Sequence, residues 1–246
     1  MLTVTLTGIV IATMPIGEYD KRLVILTKER GKITAFAKGA RKPNSAFLAC
    51  SQSFSFGEFT LYEGRSSYNL LSVDISNYFE EIRKDMEAVY YGVYFCEYAD
   101  YFTRENVDAT EILKLLYLSL RALSINSIDK GLVRRIYELK MLTLNGWAPE
   151  VFNCVNCSTT DNISYYITDE GRVLCGECRK YASKATFISG STIYTMQYIL
   201  TSTIEKLYTF TVTKEVLKEL SKFVDNYKSV YIDKKMKSLE LLEKLF

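Results

Sequence analysis

The chain has 246 residues, is 48% hydrophobic and 24% charged, contains no histidine and carries a formal net charge of +2. That length and apolar content suit two modest domains with a sizeable core, and three prolines and twelve glycines argue against long disordered linkers. No run of about 18 apolar residues occurs, so no membrane span is expected, and the lack of histidine removes Ser-His and Cys-His nucleophile pairs.

The first segment, MLTVTLTGIVIATMP, has no basic n-region and sets Leu2, Val4 and Leu6 against threonines, so it reads as a strand rather than a signal peptide. Strands are expected over 2–12, 22–27, 32–37, 54–62 and 69–73. Turn signals separate them at Pro15-Ile16-Gly17, Lys28-Glu29-Arg30-Gly31, Lys42-Pro43-Asn44 and Glu63-Gly64-Arg65. Five short strands with no long helix predict a five-stranded OB-fold barrel over residues 1–76, a frequent binder of nucleic acid.

Beyond residue 76 the apolar period lengthens to three and four. Helices are expected over 80–101, capped by Ser76 or Asn77, then over 108–124 and over 130–145, the last stopped by Gly146. Three more are expected over 191–200, 213–230 and 237–245. The fold class is therefore α+β and multidomain: an OB-fold barrel, then a helical domain over 77–246 with a cysteine module, 150–182, inserted between its helices.

That module holds Cys154, Cys157, Cys175 and Cys178 as two Cys-x-x-Cys pairs with 17 residues between them. The spacing suits a four-cysteine zinc site, since each pair can turn two sulfurs onto one ion at about 2.3 Å. The intervening ISYYITDEGRVLC has the pattern of a hairpin turning at Asp169-Glu170-Gly171. A redox pair or a disulfide is the alternative. Duplication of the motif opposes the first, and the reducing cytoplasm expected for this chain opposes the second. Four thiolates would close the coordination shell, so the zinc would hold the segment in shape rather than catalyse. Cys50 and Cys96 lie in apolar surroundings and read as small core residues.

Charge is uneven. Residues 21–42 contain eight Lys or Arg against the single acid Glu29, a local charge of +7, leaving −5 for the remainder. A polyanion is the partner such a stretch suits. Lys21, Arg22, Lys32, Lys38, Arg41 and Lys42 are the candidate phosphate contacts, and Tyr19, Phe36, Phe47 and Tyr68 are rings close enough in sequence to stack on bases. No phosphate-binding glycine loop or hydrolase motif is present, so an enzyme is not expected.

The stretch PIGEYDKRLVILTKERGKITAFAKGARKPNSAF, residues 15–47, resembles the opening of the bacterial RecO family of recombination mediators. The shared pattern falls on Pro15, Gly17, Glu18, Asp20, Leu26, Thr27, Gly31, Lys32, Ala37, Gly39, Ala40, Arg41, Pro43 and Ser45. YELKMLTLNGWAPEVFNCVNC and KMKSLELL resemble the family's helix into the zinc knuckle and its closing helix. The resemblance implies a non-enzymatic role in homologous recombination and gap repair. Such a protein binds single- and double-stranded DNA, anneals complementary strands, and acts with RecR to load RecA on strands covered by single-stranded-DNA-binding protein. For the acidic tail of that last protein, Arg134 and Arg135 are the candidate contacts. The competing reading is a zinc-stabilised OB-fold scaffold that binds RNA or protein and does not anneal DNA.

Overall fold

Five strands with a two-residue apolar period can close on themselves, because each turns one row of side chains inward. The protein, described here by a computed structural model, is defined over residues 2–65, 67–125, 127–168 and 170–246. Strands β1 (Thr3–Ile16), β2 (Asp20–Thr27), β3 (Gly31–Ala37), β4 (Phe56–Glu63) and β5 (Tyr68–Asn77) form a closed barrel in the order β1-β2-β3-β5-β4. β3 and β5 run parallel and the other pairs antiparallel. This is the expected OB-like arrangement. β3 shows its cause: Gly31, Ile33, Ala35 and Ala37 are buried, while Lys32, Thr34 and Phe36 between them are only partly so. Leu6, Val10, Leu23, Ile25, Phe59 and Leu61 complete the interior, each contributing about 1.5–3 kcal/mol by leaving water.

β1 runs past the expected end at residue 12. A register shift between Val10 and Ala12 lets its first half pair with β4 and its second half with β2. The bulge bends the strand so that it can serve both neighbours. At the same corner Gly57 of β4 lies opposite Gly8 of β1. A Cβ on Gly57 would collide with the Asp74 carbonyl of β5.

Helices α1 (Glu80–Arg83), α2 (Met86–Phe102), α3 (Thr110–Ile125) and α4 (Lys130–Leu144) follow. Next come β6 (Ile163–Ile167), β7 (Arg172–Cys175) and β8 (Ala185–Phe187), then α5 (Gly190–Thr201), α6 (Lys214–Tyr231) and α7 (Lys237–Leu245). The chain forms two compact units, Met1–Ile125 with Met236–Phe246, and Asn126–Lys235. The last barrel strand ends at Asn77, and α1–α3 and α7 belong to the unit that holds the barrel rather than to a separate helical domain over 77–246.

Within that first unit the long helix does not start from Ser76 or Asn77. Asn77 closes β5, Phe79 adopts left-handed backbone at φ 51, and α2 begins only after Asp85, whose carboxylate accepts the Ala88 amide. Glu97 on α2 accepts hydrogen bonds from the Lys237 and Ser238 amides and the Ser238 hydroxyl. It thereby supplies the anion at the N-terminus of α7.

In the second unit α4 is central, with Leu132 through Leu142 all buried. It stops at Gly146 as expected. Gly146, at φ +83, donates to Thr143 and Trp147 donates to Leu142, which closes the helix end. α5 is complemented at both ends by other helices. Glu219 of α6 accepts from the Ser189 amide and from the Ser189 and Thr192 hydroxyls at its start. Lys140 of α4 donates to the Ile199, Leu200 and Ser202 carbonyls at its end. Among the described residues no helix is long and apolar enough to cross a membrane.

Gly57→Ala should destabilise the barrel by about 1–3 kcal/mol, the usual consequence of forcing atoms into packed space. Urea unfolding measures it, and an unchanged midpoint would contradict the close approach.

Candidate nucleic-acid interface and metal centre

The outward end of the barrel is built by β1, β2 and β3 together. Met14, Arg22 and Phe36 lie side by side across the three strands, and the neighbours of Phe36, Ala35 and Ala37, point into the core. The turn after β1 and the turn after β3 are tied to each other. Asp20 accepts the Gly39 amide at 2.7 Å, the Arg41 amide donates to the Tyr19 carbonyl at 2.8 Å, and an Arg41 guanidinium nitrogen reaches the Gly17 carbonyl at 3.3 Å. Gly17 and Gly39 take φ of +53 and +66, a left-handed backbone that favours glycine. Lys38, Arg41 and Lys42 are thereby displayed on one fixed rim, exposed with Arg22, and the Lys42 ammonium sits 5.5 Å from the Tyr19 ring centroid.

Two of the six expected phosphate contacts do not join this set. Lys21 directs its ammonium to the Ser51 carbonyl and hydroxyl at 3.0 and 3.1 Å. Burial holds its pKa below that of an ordinary lysine. Lys32 leaves the barrel toward α2 and pairs with the Asp100 carboxylate at 2.9 Å. The rings divide similarly. Tyr19 and Phe36 face outward, Phe47 packs against the barrel core, and Tyr68 is buried with its hydroxyl held by Arg30.

The four module cysteines converge. Their Sγ atoms all lie within 4.8 Å of one another, and could hold a metal ion. Cys157 and Cys175 are 3.7 Å apart at sulfur, close to the roughly 3.8 Å edge of a tetrahedron with about 2.3 Å metal–sulfur bonds. β6 and β7 bring the pairs together, with Ile163 opposite Cys175, though Asp169 of the expected turn lies outside the described residues. Burial disfavours the Cys154 thiolate, but amides of Cys175, Cys157 and Asn156 donate to it and bring the thiol down to about 6. Cys157 has help from the Thr159 amide, yet the other three sulfurs push it up to about 12. Four thiolates this close repel one another unless a cation lies between them, and the donor set fits a soft divalent metal. Cys50 and Cys96 are buried, and burial raises both thiols.

Arg134 and Arg135 correct an expectation. They are not an open docking pair: they are 6% and 7% exposed within the second unit. Arg134 donates to Glu138 at 3.0 Å, while Arg135 donates to Glu138 at 2.9 Å and makes a two-pronged contact with Asp225 at 2.6 and 2.8 Å. Lys228 closes the cluster on Glu138 at 2.8 Å. Burial alone would raise the Glu138 pKa, but Lys228, Arg135 and Arg134 hold it well below the usual carboxylate range. Asp225 is lowered likewise, burial being outweighed chiefly by Arg135. The guanidinium groups are occupied by this chain's own carboxylates. Glu138, four and three residues along the same helix, is the part of this cluster that residue order could have signalled.

A closed OB-like barrel with an outward cationic rim, followed by a helical region that carries a four-thiol centre, defines a multidomain protein of the OB class. Comparison narrows this: residues 1–79 match the family described as Recombination protein O N terminal, and residues 83–240 match Recombination protein O C terminal. The chain belongs to the recombination protein O family. It is 32% identical over 239 residues to the DNA repair protein RecO of Acetivibrio thermocellus, covering 97% of this chain and 95% of that protein. It is 31% identical over 240 residues to the DNA repair protein RecO of Alkaliphilus metalliredigens, covering 97% and 98%. The same identity over 240 residues holds for the DNA repair protein RecO of Clostridium novyi, covering 97% and 93%.

Glu138→Gln should lower stability by about 3–5 kcal/mol at pH 7, because buried cations lose their partner. Folded-state carboxylates held below their unfolded pKa stabilise fully above about pH 5 and lose that contribution as pH falls. The deficit of the variant should therefore narrow below about pH 5 in urea unfolding, and an equal deficit at pH 7 and in acid would contradict the network.

Proposed function

We propose that this chain is a recombination mediator in homologous recombination and DNA gap repair. It binds single- and double-stranded DNA, anneals complementary strands, and acts with RecR to load RecA on DNA covered by single-stranded-DNA-binding protein. It does so without catalysis, in the cytoplasm and on the nucleoid when DNA-bound. The observation that carries this reading is the rim of Arg22, Lys38, Arg41 and Lys42 on an OB-like barrel. Fixed cations neutralise phosphates and release their counterions, which favours binding. Two strands neutralised on one surface repel each other less, so they can pair without nucleotide hydrolysis. Tyr19 and Phe36 beside the rim offer ring faces on which an unpaired base can stack.

In this reading Cys154, Cys157, Cys175 and Cys178 hold Zn2+, which maintains the shape of the module. Lys21 and Lys32 support the barrel and its link to α2 rather than the DNA contact.

Annealing of complementary oligonucleotides, with and without RecR across a salt series, tests the function. The unaltered protein should accelerate annealing, and Arg41→Ala with Lys42→Ala should slow it severalfold at moderate salt. A protein that binds RNA but leaves the DNA annealing rate unchanged would contradict the reading. Metal analysis should find one zinc per chain, and Cys175→Ser should abolish it and lower the melting temperature of the module.

A further inference from the structure

The cysteine module carries a surface that its own folding does not explain. Residues 178–187, CRKYASKATF, include Arg179, Lys180 and Lys184 and no acid. Tyr181 and Phe187 are 68% and 59% exposed. β8 pairs Phe187 with Tyr165 and Ala185 with Ile167, and Tyr165, Ile167 and Ala185 pack against the cysteine cluster. Phe187 shares a face with Ala185 two residues away, so it stands on the side of the sheet that the cysteines cover. Its ring meets Tyr165 edge-on, with centroids 5.8 Å apart at 82°. The Arg179 guanidinium lies 5.7 Å from the Tyr165 centroid, and the Lys180 ammonium lies 5.1 Å from that of Tyr181. No carboxylate is paired with them in the described ion pairs: Arg179 donates to the Ala182 carbonyl at 2.8 Å, whereas Arg172 of the same module is paired with Glu150 and Glu170.

We propose that this face is a second surface for single-stranded nucleic acid, with bases stacked on Phe187 and Tyr181 and phosphates held by Arg179 and Lys180. Exposed rings bind any base through its π-face, and neighbouring cations track the backbone. Bases in a duplex are already stacked, so the surface selects single strands. Three cations with no acid between residues 178 and 187 complement a phosphate backbone, which favours nucleic acid as the occupant. Cys178 begins the turn that carries Arg179, Lys180 and Tyr181, so a metal held by the four cysteines would anchor that turn. The inference rests on the DNA-binding reading only for the kind of polymer; its residues are separate from the barrel rim.

Ultraviolet cross-linking of the full chain to iodouracil-substituted oligo-dT, followed by peptide mapping, tests it. Cross-links are expected at Tyr181 or Phe187 as well as on the barrel. Tyr181→Ala with Phe187→Ala should remove the former and weaken oligo-dT binding about tenfold while leaving duplex affinity unchanged. Arg179→Gln with Lys180→Gln, which spares the rings, should reduce the salt slope for oligo-dT by about 1.4, or about 0.7 for each contact. Cross-links confined to the barrel, or unchanged oligo-dT affinity in both variants, would overturn the second surface and leave the barrel reading intact. Loss of RecR association with unchanged oligo-dT affinity would assign the face to a protein and likewise overturn it. Cross-links nowhere on the chain would remove both readings.

Discussion

Everything at the candidate DNA surface depends on closure of the five-stranded barrel. Closure sends alternate residues of β2 and β3 in opposite directions. Leu23, Ile25, Ile33 and Ala35 go inward, and Arg22 and Phe36 go outward, in the same short stretch of chain. Without it the eight cations between residues 21 and 42 would be a flexible basic segment. With it, four of them stand on a rigid rim, held by the Asp20 and Arg41 contacts between two turns. Cations on a fixed backbone lose less chain freedom when they meet phosphate than cations on a loose chain do.

The second unit solves a different problem. Its central helix α4 is buried on all sides, yet it carries Arg134, Arg135, Glu138 and Lys140. Each is satisfied internally, by opposite charge for the first three and by carbonyls at the end of α5 for Lys140. Buried ion pairs of this kind add little net stability over well-packed apolar residues. A shift of α4 against α5 or α6 would separate these charges from their partners. The cysteine module follows the same logic on a smaller scale. Its buried cluster is small, built around Cys154, Leu174, Cys175 and Cys178, and the four convergent sulfurs could hold a metal ion.

Much of this was legible from residue order. Period-two alternation disclosed all five barrel strands, and the two Cys-x-x-Cys pairs disclosed the four-sulfur cluster, because both signals are local. Gly146 marked its helix end for the same reason. What escaped depended on distant partners. Nothing near Lys21 or Lys32 in the chain announces Ser51 or Asp100 as the acceptor. Arg134 and Arg135 read as an exposed basic pair because Asp225 and Lys228 lie some 90 positions away. The start of α2 was misplaced for a local reason: Asp85 is a good cap, but the apolar pattern from residue 80 masked it. The aromatic face of the module also escapes residue order, since Tyr165 and Phe187 meet only when β6 pairs with β8 beside the cysteines.

In the proposed function four outward cations of the barrel, and not the whole basic stretch, hold the phosphates. The direct measurement is the dependence of oligo-dT affinity on salt concentration for single alanine variants. At Arg22, Lys38, Arg41 and Lys42 the log–log slope should fall by about 0.7 for each contact removed. At Lys32, which is committed to Asp100, it should stay as in the unaltered protein. A slope that falls equally at Lys32, or at none of the four, would contradict the account.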